Sequence, residues 1–334
     1  MKRPLTLVPT VCLLLATITF LSCEDSDDPS YDIYVFGMQN QKGTVWMNGT
    51  ERPETINSNF LAGSFVNGKD FYVCGFGTGG IPPKSVAKYW KNGIEVALSN
   101  GVNDERANDV AVVGSDVYAV GFDQNVNESF IRAKFWKNGN EVLLGANTAG
   151  HTSLAMEVQV SGSDVYILGV ENVNNNDSIV SRLWKNGKRV SLEHDSVYYE
   201  VTSMAIKGSD VYLIGHEGNR QGFRSTVYWK NGMKVARPFS GYDNIVFRGN
   251  DVYSTGMDGN QTGYWKNDKF VPLTDQWVDI VSLDVIGNDV IVAGNLLEAS
   301  GVYRGIVWKN AVPVAPFLGN DAAIRIAGAA VVPR

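Results

Sequence analysis

The chain has 334 residues, 44% of them hydrophobic and 19% charged, with a formal net charge of −6. That balance excludes a disordered chain, and acidity without a basic cluster excludes nucleic acid as a partner. Beyond residue 22 no apolar stretch is long enough to cross a bilayer as a helix.

The N-terminus reads as a targeting segment. Lys2 and Arg3 precede a short apolar run over 11–21, and the segment closes on Phe20-Leu21-Ser22-Cys23. This ending resembles the relaxed lipobox of Bacteroidota lipoproteins, with Cys23 as the acylated residue; Phe20 stands where Leu is usual. Residues 1–22 are expected to be a signal peptide and 23–30 an acidic, solvated tether. The tether is either a spacer or the surface-export signal that its acidity resembles. Loss of Lys2 and Arg3 with the signal takes the formal charge from −6 to −8. With Cys12 removed and Cys23 lipidated, Cys74 has no disulfide partner. It falls in a strand where other repeats carry Val120, Leu168 and Ile214, which predicts a buried small hydrophobe.

From residue 31 onward the chain repeats itself. Trp-Lys-Asn-Gly stands at Trp90, Trp136, Trp184 and Trp229, with altered copies at Trp46, Trp265 and Trp308, at intervals of 36 to 48 residues. A second motif, Asp116-Val117-Tyr118-Ala119-Val120-Gly121, has relatives starting at Asp32, Asp70, Asp164, Asp210, Asp251 and Asp289. In the third repeat the pattern predicts strand a over 109–113, b over 116–122, c over 131–137 and d over 141–144. Gly114-Ser115 makes the a–b turn, and Asn138-Gly139 suits a two-residue c–d hairpin in which both residues need positive φ. Four short strands per repeat with no helical period predict an all-β, seven-bladed β-propeller with four-stranded blades over residues 31–334. Repeat 1 starts at its strand b, and Ala323 to Gly328 reads as a strand a without a blade. The C-terminal strand is therefore expected to complete blade 1 and close the ring, leaving no open edge.

The tryptophans alternate with a second large residue on strand c, so both faces of each blade are apolar and the Trp is expected in the core rather than as a sugar platform. The lysines Lys91, Lys137, Lys185, Lys230, Lys266 and Lys309 read as solvated hairpin positions rather than an anion-binding ring. Tight a–b and c–d turns share one end of a meander. The variable b–c and d–a loops share the other, which is the candidate binding end. The b–c connections are long over 77–85, 123–129 and 171–178, and a short one at 258–261 predicts a low rim at blades 5 and 6.

Candidate binding residues at that end are Trp277, Tyr198, Tyr199 and Tyr242, as stacking or anchoring groups, and His194 and His216, which with His151 complete the histidines. Trp277 also suits a cover for the core. Asp109 and Glu157, with Asn244 and Ser282, share one position of strand a and form a polar ring at the channel mouth. Asp123, Asn125, Asn127 and Glu128 alternate as in a calcium loop but lack its central Gly and distal Glu. No metal signature, cofactor motif, catalytic triad or paired-carboxylate spacing is legible, so no metal, cofactor or catalytic residue is expected.

The paired motifs DVYxxG and WKNG over residues 31–334 resemble the uncharacterised WKNG-repeat propeller lipoproteins of Bacteroidota. The resemblance implies the propeller and the anchor and supplies no catalytic residues. The expected function is a monomeric lipoprotein binding module at the outer membrane, cell surface or periplasmic side, recognising a glycan or protein through the loop end. The alternatives are a lyase or glycosidase with acids at the channel mouth, and a scaffold of an outer-membrane complex.

Overall fold

The computed structural model describes residues 31–334 apart from 55, 125–130, 143, 145–151, 174–177, 195–197, 219–223, 237–242, 299 and 315–323. Cys23 and the rest of 1–30 lie outside the described residues, among which there is no helix. The strands follow the repeats. Repeat 1 supplies β1 (Tyr31–Gln39), β2 (Lys42–Met47) and β3 (Thr50–Glu51), and repeat 2 supplies β4 (Phe60–Asn67), β5 (Asp70–Gly79), β6 (Lys84–Lys91) and β7 (Ile94–Ala97). Repeat 3 holds β8 (Asp104–Val113), β9 (Asp116–Gln124), β10 (Ile131–Lys137) and β11 (Asn140–Val142). Repeat 4 holds β12 (Ser153–Ser161), β13 (Asp164–Val173), β14 (Ser178–Lys185) and β15 (Lys188–Val190). Repeat 5 holds β16 (Tyr198–Lys207), β17 (Asp210–Gly218), β18 (Arg224–Lys230) and β19 (Met233–Val235). Repeat 6 holds β20 (Asp243–Arg248), β21 (Asp251–Asp258), β22 (Gln261–Lys266) and β23 (Lys269–Thr274). Repeat 7 holds β24 (Val278–Ile286), β25 (Asp289–Leu297), β26 (Tyr303–Lys309) and β27 (Val312–Pro313), and β28 (Ile324–Pro333) follows.

Repeats 2 to 7 each fold on themselves as a four-stranded antiparallel meander, and repeat 1 makes a three-stranded one, giving an all-β, propeller-like succession of sheets. Repeats 2, 3 and 6 are separate sheets, while repeats 4 and 5 merge through one parallel contact, Val180 with Tyr199. Repeats 7 and 1 merge in the same way through Arg304 and Ile324. β28 pairs antiparallel with β1 from Tyr31–Pro333 to Gln39–Ile324, so the C-terminal strand serves as strand a of repeat 1. It lies against β4 on one side and β24 on the other.

The turn chemistry is the one the sequence calls for. In the first five repeats the c–d turn is Asn-Gly with both residues at positive φ, as Asn92 at 50° and Gly93 at 81°. In repeat 7 the glycine is replaced by Ala311, which still holds a φ of 65°. The a–b turns put Gly at the first position with φ between 56° and 63°, from Gly68 through Gly287, the pattern of a type II′ turn. The glycine ending DVYxxG answers a different need. A Cβ on Gly121 would sit 1.9 Å from the Arg106 carbonyl oxygen, because strand a carries a bulge at Asn108 that presses its backbone onto strand b.

Packing lies between successive repeats. Trp136 of repeat 3 is buried with Tyr72, Cys74 and Ala87 of repeat 2, and Trp184 of repeat 4 with Tyr118, Val120 and Phe135 of repeat 3. Trp46 of repeat 1 packs in the same way with Ile291, Ala293 and Val307 of repeat 7. All seven repeat tryptophans are at most 8% exposed, so they are core residues. Cys74 is fully buried, and burial pushes its thiol well above the ordinary value.

Candidate functional site

At the turn end, the two motifs of each repeat complete one another. In repeat 2 the Asn92 amide oxygen accepts the Phe71 backbone N–H at 2.9 Å, and the amide nitrogen donates to Asp70 at 2.7 Å. Lys91 Nζ reaches the other Asp70 oxygen at 2.7 Å and lies 5.4 Å from the centre of the Tyr72 ring. The hydrogen bond to Asp70 raises Lys91 to about 12, and the bond from Lys91 lowers Asp70 in return. The Asp–Lys–Asn set recurs in repeats 3 to 7. The repeated lysines are thus solvated hairpin positions, with side chains 36–47% exposed, but each is paired with its own Asp rather than contributing to an open anion ring.

The two repeats that lack a member of this set borrow it across the chain. Repeat 7 has Ile291 in the tyrosine position; Tyr31 takes over, donating to Asp289 at 2.5 Å with Lys309 5.2 Å from its ring. Repeat 1 has Met47 in the lysine position, and there Arg334 pairs with Asp32 at 2.7 Å.

The predicted polar ring on strand a stitches one repeat to the next. Asp109 accepts the Val110 N–H at 2.8 Å and, with its other oxygen, the Val158 N–H of repeat 4 at 2.9 Å. Glu157 accepts the Met204 N–H of repeat 5 at 3.2 Å and the Gln159 amide at 2.7 Å. Asn244 donates to the Ile280 carbonyl and Ser282 to the Ala329 carbonyl. Ser203, five residues before its turn glycine like the others, accepts the Ile245 N–H at 3.2 Å; counting back from Gly208 would have found it. Repeats 1 and 2 carry glycine here. A Cβ on Gly328 would lie 2.3 Å from Ser64 Oγ, and one on Gly63 2.6 Å from Asp109 Oδ1. Burial pushes Asp109 up to about 7, and burial followed by the Asp109 charge pushes Glu157 up to about 8. Protein surrounds both carboxyls, yet both keep partial contact with solvent.

At the loop end the predicted residues divide. His194 stacks on Tyr199 at 4.4 Å, and the Tyr199 hydroxyl accepts from Arg182 at 3.1 Å, lining a cleft of about 330 Å³ between repeats 4 and 5. His216 is half-buried opposite Glu200 in the β16–β17 ladder. Trp277 is 56% exposed, which overturns its reading as a cover for the core. Tyr198 is placed in β16, but its side chain, Tyr242, His151, Asn125, Asn127 and Glu128 lie outside the described residues. Asp123 is withdrawn from the calcium reading. It is 1% exposed and held by Arg132 through two 3.1 Å bonds, as Glu171 is held by Arg182 and Arg189.

Two features of this end lie beyond the predicted residues. Eight residues before each turn glycine, the strand-a position reads Phe60, Arg106, Leu154, Glu200 and Asp279 in repeats 2, 3, 4, 5 and 7, and its β28 counterpart is Arg325. Asp243 lies near the acidic side of this series; burial, then Asp279 and Glu200, push its carboxyl up to about 6. On the other side Arg325 lies 5.3 Å from the Phe60 ring centre and 5.5 Å from that of Tyr303. Phe60 stacks on Phe76 at 6.0 Å, and Arg106 lies 4.4 Å from Phe76. Beside Arg325 a cleft of about 660 Å³ opens over repeat 1, whose b–c connection is only Asn40-Gln41. The spacing signalled it: Gly37 to Trp46 is as short as Gly256 to Trp265. The b–c link is therefore as short over repeat 1 as over repeat 6, where it is Gly259-Asn260 as predicted; the link over 237–242 lies outside the described residues.

Fold and site together define an all-β repeat protein of propeller-like sheets. No family model matches the chain, and neither does any curated protein sequence. Among solved structures it is similar to the native Bacillus subtilis arabinanase Arb43A, at 10% identity and a TM-score of 0.36, over 77% of this chain and 98% of that one.

Proposed function

We infer that this protein is a lipid-anchored binding module that recognises a glycan or a protein through its b–c and d–a loops. In this reading Cys23 carries the lipid, 24–30 is the tether to the outer membrane, and the domain is a monomeric seven-bladed propeller of the WKNG-repeat kind. Ring closure is supported by the β1–β28 pairing, by the Trp46 contacts with repeat 7, and by the Tyr31–Asp289 and Arg334–Asp32 links.

The observation that carries the binding reading is the contrast between the two ends. At the turn end the repeated charges are consumed by one another. At the loop end Arg325 lies on aromatic rings in an open cleft and Arg106 lies on Phe76, which stacks on the cleft residue Phe60; no described carboxylate pairs with either arginine. To test it, the full chain is presented to a glycan array and to membrane extracts. The same chain with 80–83, 125–130 and 174–177 replaced by two-residue turns and Arg325 changed to Met is run beside it. Capture by the intact chain and its loss in this variant are expected; capture that survives these changes refutes the reading. A Cys23→Ala chain is expected in the soluble rather than the membrane fraction.

One observation favours the enzymatic alternative. Asp243, raised to about 6 beside Asp279 and Glu200, has the protonation range of a general acid. Polysaccharide turnover abolished by Asp243→Asn, with binding retained, is the result that promotes it.

A further inference from the structure

We propose that the cleft over repeat 1 binds an acidic glycan, with the Arg325 guanidinium receiving a sugar carboxylate. The proposal rests on the loop-end binding reading and gives it a ligand class and an address.

The guanidinium is prepared for an anion in two ways. The rings of Phe60 and Tyr303, with centres 5.3 and 5.5 Å away, flank it in cation–π contact without using its N–H groups. No described carboxylate pairs with it, although Arg52, Arg132, Arg182, Arg189, Arg248, Arg304 and Arg334 are each paired with one. A planar fork with free N–H donors recognises a carboxylate bidentately.

The rest of the cleft suits a polyhydroxylated ligand. Asn40, Gln41 and Asn59 line it; the amides of Asn40 and Gln41 carry donors and an acceptor for sugar hydroxyls, while the Asn59 oxygen already accepts the Thr78 hydroxyl at 3.0 Å and leaves its N–H₂ as a donor. Met38 and Val302 supply apolar wall for the C–H face of a sugar. At about 660 Å³ the cleft falls within the range of ligand sites, roughly 300–1,000 Å³. A protein partner would need a patch of about 800 Å² on each side rather than a local concavity. The two arginines are few against a formal charge of −6. That favours a short run of spaced carboxylates over a dense polyphosphate.

The experiment is calorimetric titration of the full chain, in detergent, with trigalacturonate, neutral galactotriose and a triglutamate peptide. Trigalacturonate is expected to bind at least tenfold more tightly than the other two, with affinity falling as salt rises. Arg325→Met is expected to lose at least tenfold while the melting temperature is kept, and Arg325→Lys to recover only part, because it restores charge without the fork. If Arg325→Met does not fold, Tyr303→Leu substitutes, with a threefold or greater loss expected. Galactotriose binding as tightly as trigalacturonate, or trigalacturonate binding that Arg325→Met leaves unchanged, overturns the acidic-glycan assignment and leaves the loop-end reading standing. Tighter binding of triglutamate overturns the glycan class. No binding of either saccharide overturns this proposal, while the loop-replacement capture assay decides the broader reading independently.

Discussion

Asp109 gives the sharpest test of how the inner strands are held. Its carboxyl sits at about 7 instead of 3.8 because burial disfavours the charged form more than the two accepted N–H bonds favour it. At about 1.4 kcal/mol per tenfold this is roughly 4 kcal/mol in favour of the neutral acid. The folded state keeps this proton to higher pH than the unfolded chain does. Stability from this group is therefore fully present below about 4, is lost as pH rises, and is gone above about 7. About 2–3 kcal/mol of the loss falls between pH 5 and pH 8, and less where solvent screens the charge. Asp109→Asn removes the titration. It also turns an amide N–H₂ toward one of the two backbone donors, a loss of about 1–3 kcal/mol at every pH. The expected signature is therefore a difference: relative to the parent, the variant's melting temperature rises by roughly 4–8 °C from pH 5 to pH 8. A lower absolute level at pH 5 does not bear on the test. Parallel melting curves across that range would refute the reasoning.

Two further outcomes follow from particular contacts. Deleting 323–334 removes Ile324 and Ile326, each 1% exposed, and bares the edge of β1. The loss is roughly 4–10 kcal/mol, comparable to the whole stability of a domain, so the shortened chain is expected in the insoluble fraction; an unchanged melting curve would rule this out. Ala311→Gly relieves a non-glycine residue at a φ of 65° and is expected to raise stability by about 0.5–1 kcal/mol by denaturant titration, whereas a loss would show that the turn is not strained.

What was legible in the sequence is what each repeat states for itself. The strands, the Asn-Gly turns and the buried tryptophans depend on contacts within a repeat or with the next one, and each appears several times over. The sequence predicts strand d of repeat 3 as far as 144; β11 covers Asn140–Val142, residue 143 lies outside the described residues, and Leu144 is not in a strand. The fate of the lysines was hidden because a single-repeat pattern does not reveal that the Asp opening one motif meets the Lys of the other. The substitutions by Tyr31 and Arg334 were further out of reach, since they join residues 258 and 302 positions apart. The loop-end arginines left a readable signal, a register in which Arg, Phe, Leu and acids replace one another where a framework residue would repeat.

That register also explains how an acidic protein can draw an anion to one place. A formal charge of −6 repels anions at long range, but beyond about 8–10 Å exposed charges are largely screened at physiological salt. Within that distance only the local charges count. On one side of the strand-a series they are Arg325 and Arg106, carried on aromatic rings; on the other they are Glu200, Asp243 and Asp279, the first and last of which add to burial in raising the Asp243 carboxyl. An anion arriving at this end is turned away from repeats 5 to 7 and toward repeats 1 to 3, where the short Asn40-Gln41 turn leaves the cleft open. The repeated charges cannot provide this asymmetry, because each is cancelled within its own repeat or by the residue that replaces it. The directional field comes from the positions where the repeat is broken.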